Sequence, residues 1–192
     1  MSTTKKLNVR FSVLAGMILL AAFSRLVPHM TNFSPLGTIG LFGAAYFVKK
    51  WQAFLVPIAA TWLSDLFINN VIYAQYYPQF TWFYHGFYWQ YGSYLVIVLV
   101  SLLVIMRKLT VTRVISGAIA SSAIFFFISN FGVWLNSHFY PQNTAGLLQC
   151  YTAALPFLKG TLYGNLFYAG ILFGGFAYAQ KQYPVLRLQH SA

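Results

Sequence analysis

One carboxylate, Asp65, stands in the apolar run "AATWLSDLFINN" of a chain with twelve Lys and Arg residues. General acid–base catalysis by carboxylates needs two of them with separated pKa values. A single acid excludes that chemistry. His29, His85, His138 and Cys150 are metal-ligating types, yet none is spaced from another like a ligand pair such as H-x3-H. We therefore expect no metal and no cofactor. Cys150 sits in "GLLQCYTAALPF", a helix packing face with no activating charge, which argues against a nucleophile. A lone cysteine also excludes an intramolecular disulfide. No glycine-rich phosphate loop of the P-loop type occurs, so the chain does not itself hydrolyse ATP. The expectation is a protein that is not an enzyme.

Binding chemistry remains. A carboxylate at the centre of a membrane helix costs roughly 2.5–3.5 kcal/mol and usually faces a partner inside the bundle. Arg25 is the nearest candidate base by depth. Three readings stay open: an Asp65–Arg25 tie between helices, this pair or Arg25 alone in the floor of an outward-facing ligand site, or an interfacial Asp65 making helix-end contacts. His29, Asn32, His85 and Lys159 fall near the same level. Asn130, in "ISNFGVW", is an amide in an apolar run that needs a partner, either another helix or a ligand.

The elements that position these residues follow from composition. Hydrophobic residues make up 59% of the 192, aromatics 20% and charged residues only 7%, against roughly 25% charged in soluble domains. So few charges cannot cover a water-soluble surface, and the chain reads as one integral membrane domain. The net charge of +11 does not mark a nucleic-acid binder, because the bases sit singly or in small groups beside apolar runs rather than in a stripe.

A span takes about 20 apolar residues. Six are expected, over 9–27, 32–48, 52–69, 91–106, 112–136 and 160–180, forming an all-α six-helix bundle. The second is the shortest in its apolar part. Lys5, Lys6, Arg10, Lys49, Lys50, Arg107, Lys108, Arg113, Lys181 and Arg187 then fall on one side, leaving Arg25 and Lys159 on the other. Short Lys/Arg-rich loops stay cytoplasmic. Both termini are therefore expected inside, with the first span uncleaved and His190 in a cytoplasmic tail. Arg25, His29, Asn32, Asp65, His85, His138 and Lys159 collect outside, on connections that include 69–90 and 137–159.

The segment "YAQYYPQFTWFYHGFYWQYG" over 73–92 is dense in rings. It reads either as an interfacial belt or as a lid that stacks on a ligand through Trp82, Tyr84 and Trp89. Gly117 with Ser121, Gly170 with Gly174, and Ser12 with Gly16 place small residues on helix faces that allow close approach.

The strings "SRLVPHMTNFSPLGTIGLFGAAYF", "LSDLF", "SSAIFFFISNFGVWL" and "YPQNTAGLLQCYTAALPFLKGTLYGNLFY" resemble an uncharacterised bacterial family of membrane transport proteins. That family is similar in size and span number to the S components of energy-coupling factor (ECF) vitamin transporters. The resemblance covers about residues 9–180 except the aromatic segment. It implies a bundle in the bacterial inner membrane that captures a micronutrient from outside and docks on an ECF transmembrane subunit with two ATPases. By the same resemblance Ser12, Ala15 and Gly16 are candidates for the docking face. The expected function is the substrate-binding subunit of a micronutrient importer; the alternative is a structural or assembly subunit with no small-molecule ligand.

Overall fold

The computed structural model describes residues 3–103, 109–136 and 138–187. All regular structure among the described residues is helical. Helix α1 spans Thr3–Phe23, α2 Leu36–Tyr46, α3 Lys50–Phe67, α4 Phe87–Leu103, α5 Val111–Asn136, α6 Thr144–Ala169 and α7 Gly175–Gln182. A π-helical turn at Ile68–Ile72 extends α3, and another at Gly170–Gly174 joins α6 to α7. In a membrane the main chain must satisfy its own polar groups, and helices do so within one segment.

The helices Lys5–Leu26, Lys50–Ile72 and Val111–Asn136 are long and apolar enough to cross a membrane. The helical segments among the described residues agree with the expected number of six, α6 to α7 being continuous, but the other three differ in their bounds. Helix α2 begins only after Pro35, and its 11 residues are about 16 Å long, too short for a ~30 Å core. All of α2 but Ala45 is buried. It packs against α1, α3, α4, α5 and α6 and forms the centre of the molecule. Helix α4 starts at Phe87 rather than at 91 and is described to Leu103; its expected end, with Arg107 and Lys108, lies outside the described residues, as does His190.

The sixth helix starts at Thr144 rather than at 160, so the expected connection over 137–159 is mostly helix. The Asn143 side chain caps it by accepting from the Gly146 N–H at 3.0 Å. From there helical structure continues to Gln182. Its first turns pack along the end of α5, where the Tyr151 hydroxyl donates to the Phe127 carbonyl at 2.8 Å.

The two ends of the bundle differ. At one, Arg10 of α1 meets the end of α2 and the turn Pro184–Leu186, donating to the carbonyls of Leu186 and Tyr46. At the other, the end of α1, the end of α3 and the start of α4 converge.

Candidate ligand-binding site

Arg25 lies in the short helical turn Ser24–Leu26 that continues α1, and its Nη1 donates to Asp65 Oδ1 at 2.7 Å and to Ser64 Oγ at 2.8 Å. The second carboxylate oxygen, Asp65 Oδ2, accepts from the Tyr91 hydroxyl of α4 at 2.7 Å. The carboxylate is almost enclosed, with side-chain exposure of 8% against 17% for Arg25. A buried carboxylate must be paired and hydrogen-bonded to remain charged. Here one acid ties α1, α3 and α4 together, and its lone pairs point at protein donors rather than at an open space.

Beside this pair, two adjoining chambers open between the helix ends. The larger, about 610 Å³, is lined by Arg25, His29, Asn32, Tyr94, Thr161 and Asn165, among others. The smaller, about 370 Å³, has His85, Trp89, Phe126, Asn130 and Phe157 in its wall. Asn32, Gln90, Phe125 and Thr161 belong to both, so the chambers adjoin across these four residues. Their volumes lie in the range of small-molecule sites, roughly 300–1,000 Å³.

The loop from Val27 to Pro35 forms one wall, and its path depends on glycine. A Cβ added at Gly160 would strike the Thr31 carbonyl, and one at Gly164 would strike the main chain of Ser34. Without side chains at these positions the loop lies directly on α6. Phe33 then sits against Phe167 and Tyr168, with ring centroids 5.4 and 5.8 Å away. Asn32 takes a left-handed conformation, φ 60°, which Asn tolerates better than most residues. His29 Nδ1 donates to the Met30 carbonyl at 2.9 Å.

Asn165 makes the floor rigid. Its Oδ1 accepts from the Thr38 N–H at 3.1 Å, and its Nδ2 donates to Ser122 Oγ at 2.9 Å. This amide joins α2, α5 and α6 at 1% exposure, and Gly37 leaves the space it occupies.

In the smaller chamber, Gly132 lets the Trp89 ring lie flush on α5; a Cβ there would run into the indole. The indole N–H of Trp89 is buried and has no partner among the described residues. Asn130 Nδ2 donates to the Phe126 carbonyl at 2.8 Å, which leaves Oδ1 to accept from elsewhere. Cys150 lies behind this wall, its thiol 3.5 Å from the Asn130 carbonyl.

Of the residues singled out in the sequence, Arg25, His29, Asn32, His85, Trp89 and Asn130 line the chambers. Asp65, Trp82, Tyr84 and Lys159 are not among the lining residues. Asp65 positions Arg25 from behind. Tyr84 donates to Gln90 Oε1 at 2.8 Å; burial, with the Asp65 carboxylate adding to it, pushes its phenol well above the usual range and keeps it a neutral donor. Lys159 is exposed beside Gly160, on a different face of α6 from the lining residue Thr161. His138 is exposed in the α5–α6 connection.

The aromatic segment divides. Trp82 turns away from the chambers and stacks on Trp62, centroids 6.2 Å apart at 14°. Asn70 anchors the loop there, donating to the Thr81 carbonyl at 3.0 Å and accepting from the Thr81 N–H at 2.6 Å. Phe87 to Gly92 belong instead to α4. Only Tyr73, His85, Gly86, Trp89 and Gln90 of the segment reach the chambers. Sequence reading did not single out Gln90, Tyr94, Thr161 and Asn165. An amide in the apolar part of α6, one residue after Gly164, was the available signal for Asn165.

The geometry is that of a recess with fixed donors, acceptors and rings. No group of three His, Cys, Asp or Glu gathers among the described residues. A family model described as "Family of unknown function (DUF6580)" matches residues 5–186. The chain belongs to the DUF6580 family. No curated protein and no solved structure matches it. For this DUF6580 protein, the chambers beside Arg25 are therefore the basis for a functional reading.

Proposed function

We propose that this DUF6580 protein is the substrate-binding membrane subunit of a micronutrient importer, and that the paired chambers hold the captured molecule. The observation that carries the reading is the pair of adjoining chambers at the Arg25 end, which set aromatic rings beside the hydrogen-bonding groups of Arg25 and Asn130. The distribution of Lys and Arg supports an outward-facing recess in a bacterial inner membrane, with both termini cytoplasmic. A binder rather than a catalyst is supported by the state of the only acid, whose two oxygens are already held by Arg25 and Tyr91.

Delivery inward would fall to a partner, and the resemblance to ECF S components suggests a transmembrane subunit with two ATPases. Ser12 is exposed and Ala15 half-buried on α1, and an added Cβ at Gly16 would meet nothing within 4 Å. These positions suit docking by a neighbouring helix. Native mass spectrometry of protein purified gently from its own membranes tests the capture. A retained small molecule is expected. Spectra showing apoprotein and lipid adducts alone would contradict the reading and favour a structural subunit.

A further inference from the structure

We propose that the two chambers take one ligand in two parts: a flat, heteroatom-bearing ring in the smaller chamber, joined to an oxyanion such as a carboxylate or phosphate in the larger. The proposal rests on the reading of this recess as a ligand site and names the chemical class it would hold.

Charge selects the oxyanion. A bound cation needs a carboxylate, and the chain has one. Asp65 is already bonded through both oxygens and is not among the residues of either lining. A cation in the larger chamber would meet Arg25, whose counter-charge Asp65 lies behind it and outside the lining. An oxyanion there meets a guanidinium that uses Nη1 for Asp65 and Ser64. Guanidinium has five N–H donors in a planar fork, so donors remain on a group that lines the chamber. Asp65 balances part of the charge, but it also fixes the fork in place before a ligand arrives, which reduces the ordering cost of binding.

The smaller chamber selects the ring. Trp89, Phe126 and Phe157 supply apolar faces, suited to stacked or edge contacts with a flat group. Asn130, whose Nδ2 is spent on the Phe126 carbonyl, offers Oδ1 as an acceptor in this wall. A ring with an N–H at its edge would satisfy that oxygen. A plain hydrocarbon ring would not. Asn32, Gln90, Phe125 and Thr161 border both chambers, so the two parts lie side by side, and one molecule holding both would pass these four residues.

Indole-3-acetate, indole-3-acetamide and tryptamine test this, since they share a ring and differ in the charge of the side chain. Each is titrated by calorimetry into the detergent-purified protein and into Arg25→Lys and Trp89→Leu variants. Lys keeps the charge that Asp65 needs but lacks the fork. We expect indole-3-acetate to bind at least tenfold more tightly than the other two, and Arg25→Lys to erase that preference. Trp89→Leu should weaken whatever binds by about tenfold without changing the order. If Arg25→Lys proves unfolded by its melting curve, His29→Gln takes its place, with a partial loss of preference expected. Equal binding of the three, a preference for tryptamine, or no binding by any of them overturns the assignment. The capture reading itself falls only if native mass spectra also lack a retained molecule, so the two failures are distinguishable.

Discussion

Arg10 and Arg25 lie on the same helix, about 22 Å apart along its axis, and their surroundings separate the two ends of the molecule. Arg10 is 4% exposed. Its guanidinium donates to the carbonyls of Leu186 and Tyr46, and the rings of Tyr46 and Phe176 face it at 5.8 and 5.2 Å. Main-chain dipoles and ring faces absorb that charge, and neither chamber reaches it. Arg25 is held from one side by Asp65 and Ser64 and lines a recess on the other. A cation surrounded by main-chain carbonyls and aromatic rings closes a bundle like a clasp. A cation fixed by a carboxylate behind it keeps donors in front, and only that arrangement can serve a ligand.

The sharpest way to break the comparison is to remove the acid. Asp65→Ala leaves Arg25 without a counter-charge and Tyr91 without its acceptor, and should cost about 3 kcal/mol of stability in reversible unfolding. Exchanging the pair, Asp65→Arg with Arg25→Asp, should recover part of that loss. Purely additive effects in the double-mutant cycle would show that the two side chains are uncoupled. Next in size is Gly160→Ala, whose methyl would displace the Thr31 carbonyl and should cost about 2 kcal/mol by overpacking. It should also distort the wall of the larger chamber. Arg10→Met should cost about 1 kcal/mol, because an apolar side chain of similar length replaces the buried charge. It should free the turn at Pro184–Leu186, read as faster amide exchange, and leave ligand retention unchanged. The smallest effect belongs to Gly170→Ala and Gly174→Ala, where an added Cβ meets nothing within 4 Å. Each should stay within about 0.5 kcal/mol; a larger loss would mean that another helix lies against this face.

The Arg25–Asp65 pair was legible in the sequence for a physical reason. A chain with one acid in an apolar run has to spend it on a base at the same depth, and Arg25 was the base available. The core role of α2 was half legible, since its short apolar part was visible but its burial on all sides was not. Two boundaries were hidden. Thr144 to Lys159 falls between expected spans although "GLLQCYTAALPF" within it reads as a helix packing face, and its cap and its contacts with α5 make it helix. The ring-dense segment reads as one unit, yet where each ring points depends on the chain path. Asn70 draws Trp82 onto Trp62, while the helix start at Phe87 turns Trp89 toward Gly132. Asn165 escaped notice because its partners, Thr38 and Ser122, lie on other helices.

That division of the aromatic segment supplies the most direct test of the account, which holds that a small molecule occupies the chambers beside Arg25. Native mass spectra of the wild-type protein, Trp89→Leu and Trp82→Leu, each purified gently from its own membranes, compare a chamber ring with an outer one. The account predicts a retained molecule in the wild type, its survival in Trp82→Leu and its loss from Trp89→Leu with the fold intact. A molecule lost with Trp82→Leu but kept with Trp89→Leu, or none in the wild type, would contradict it.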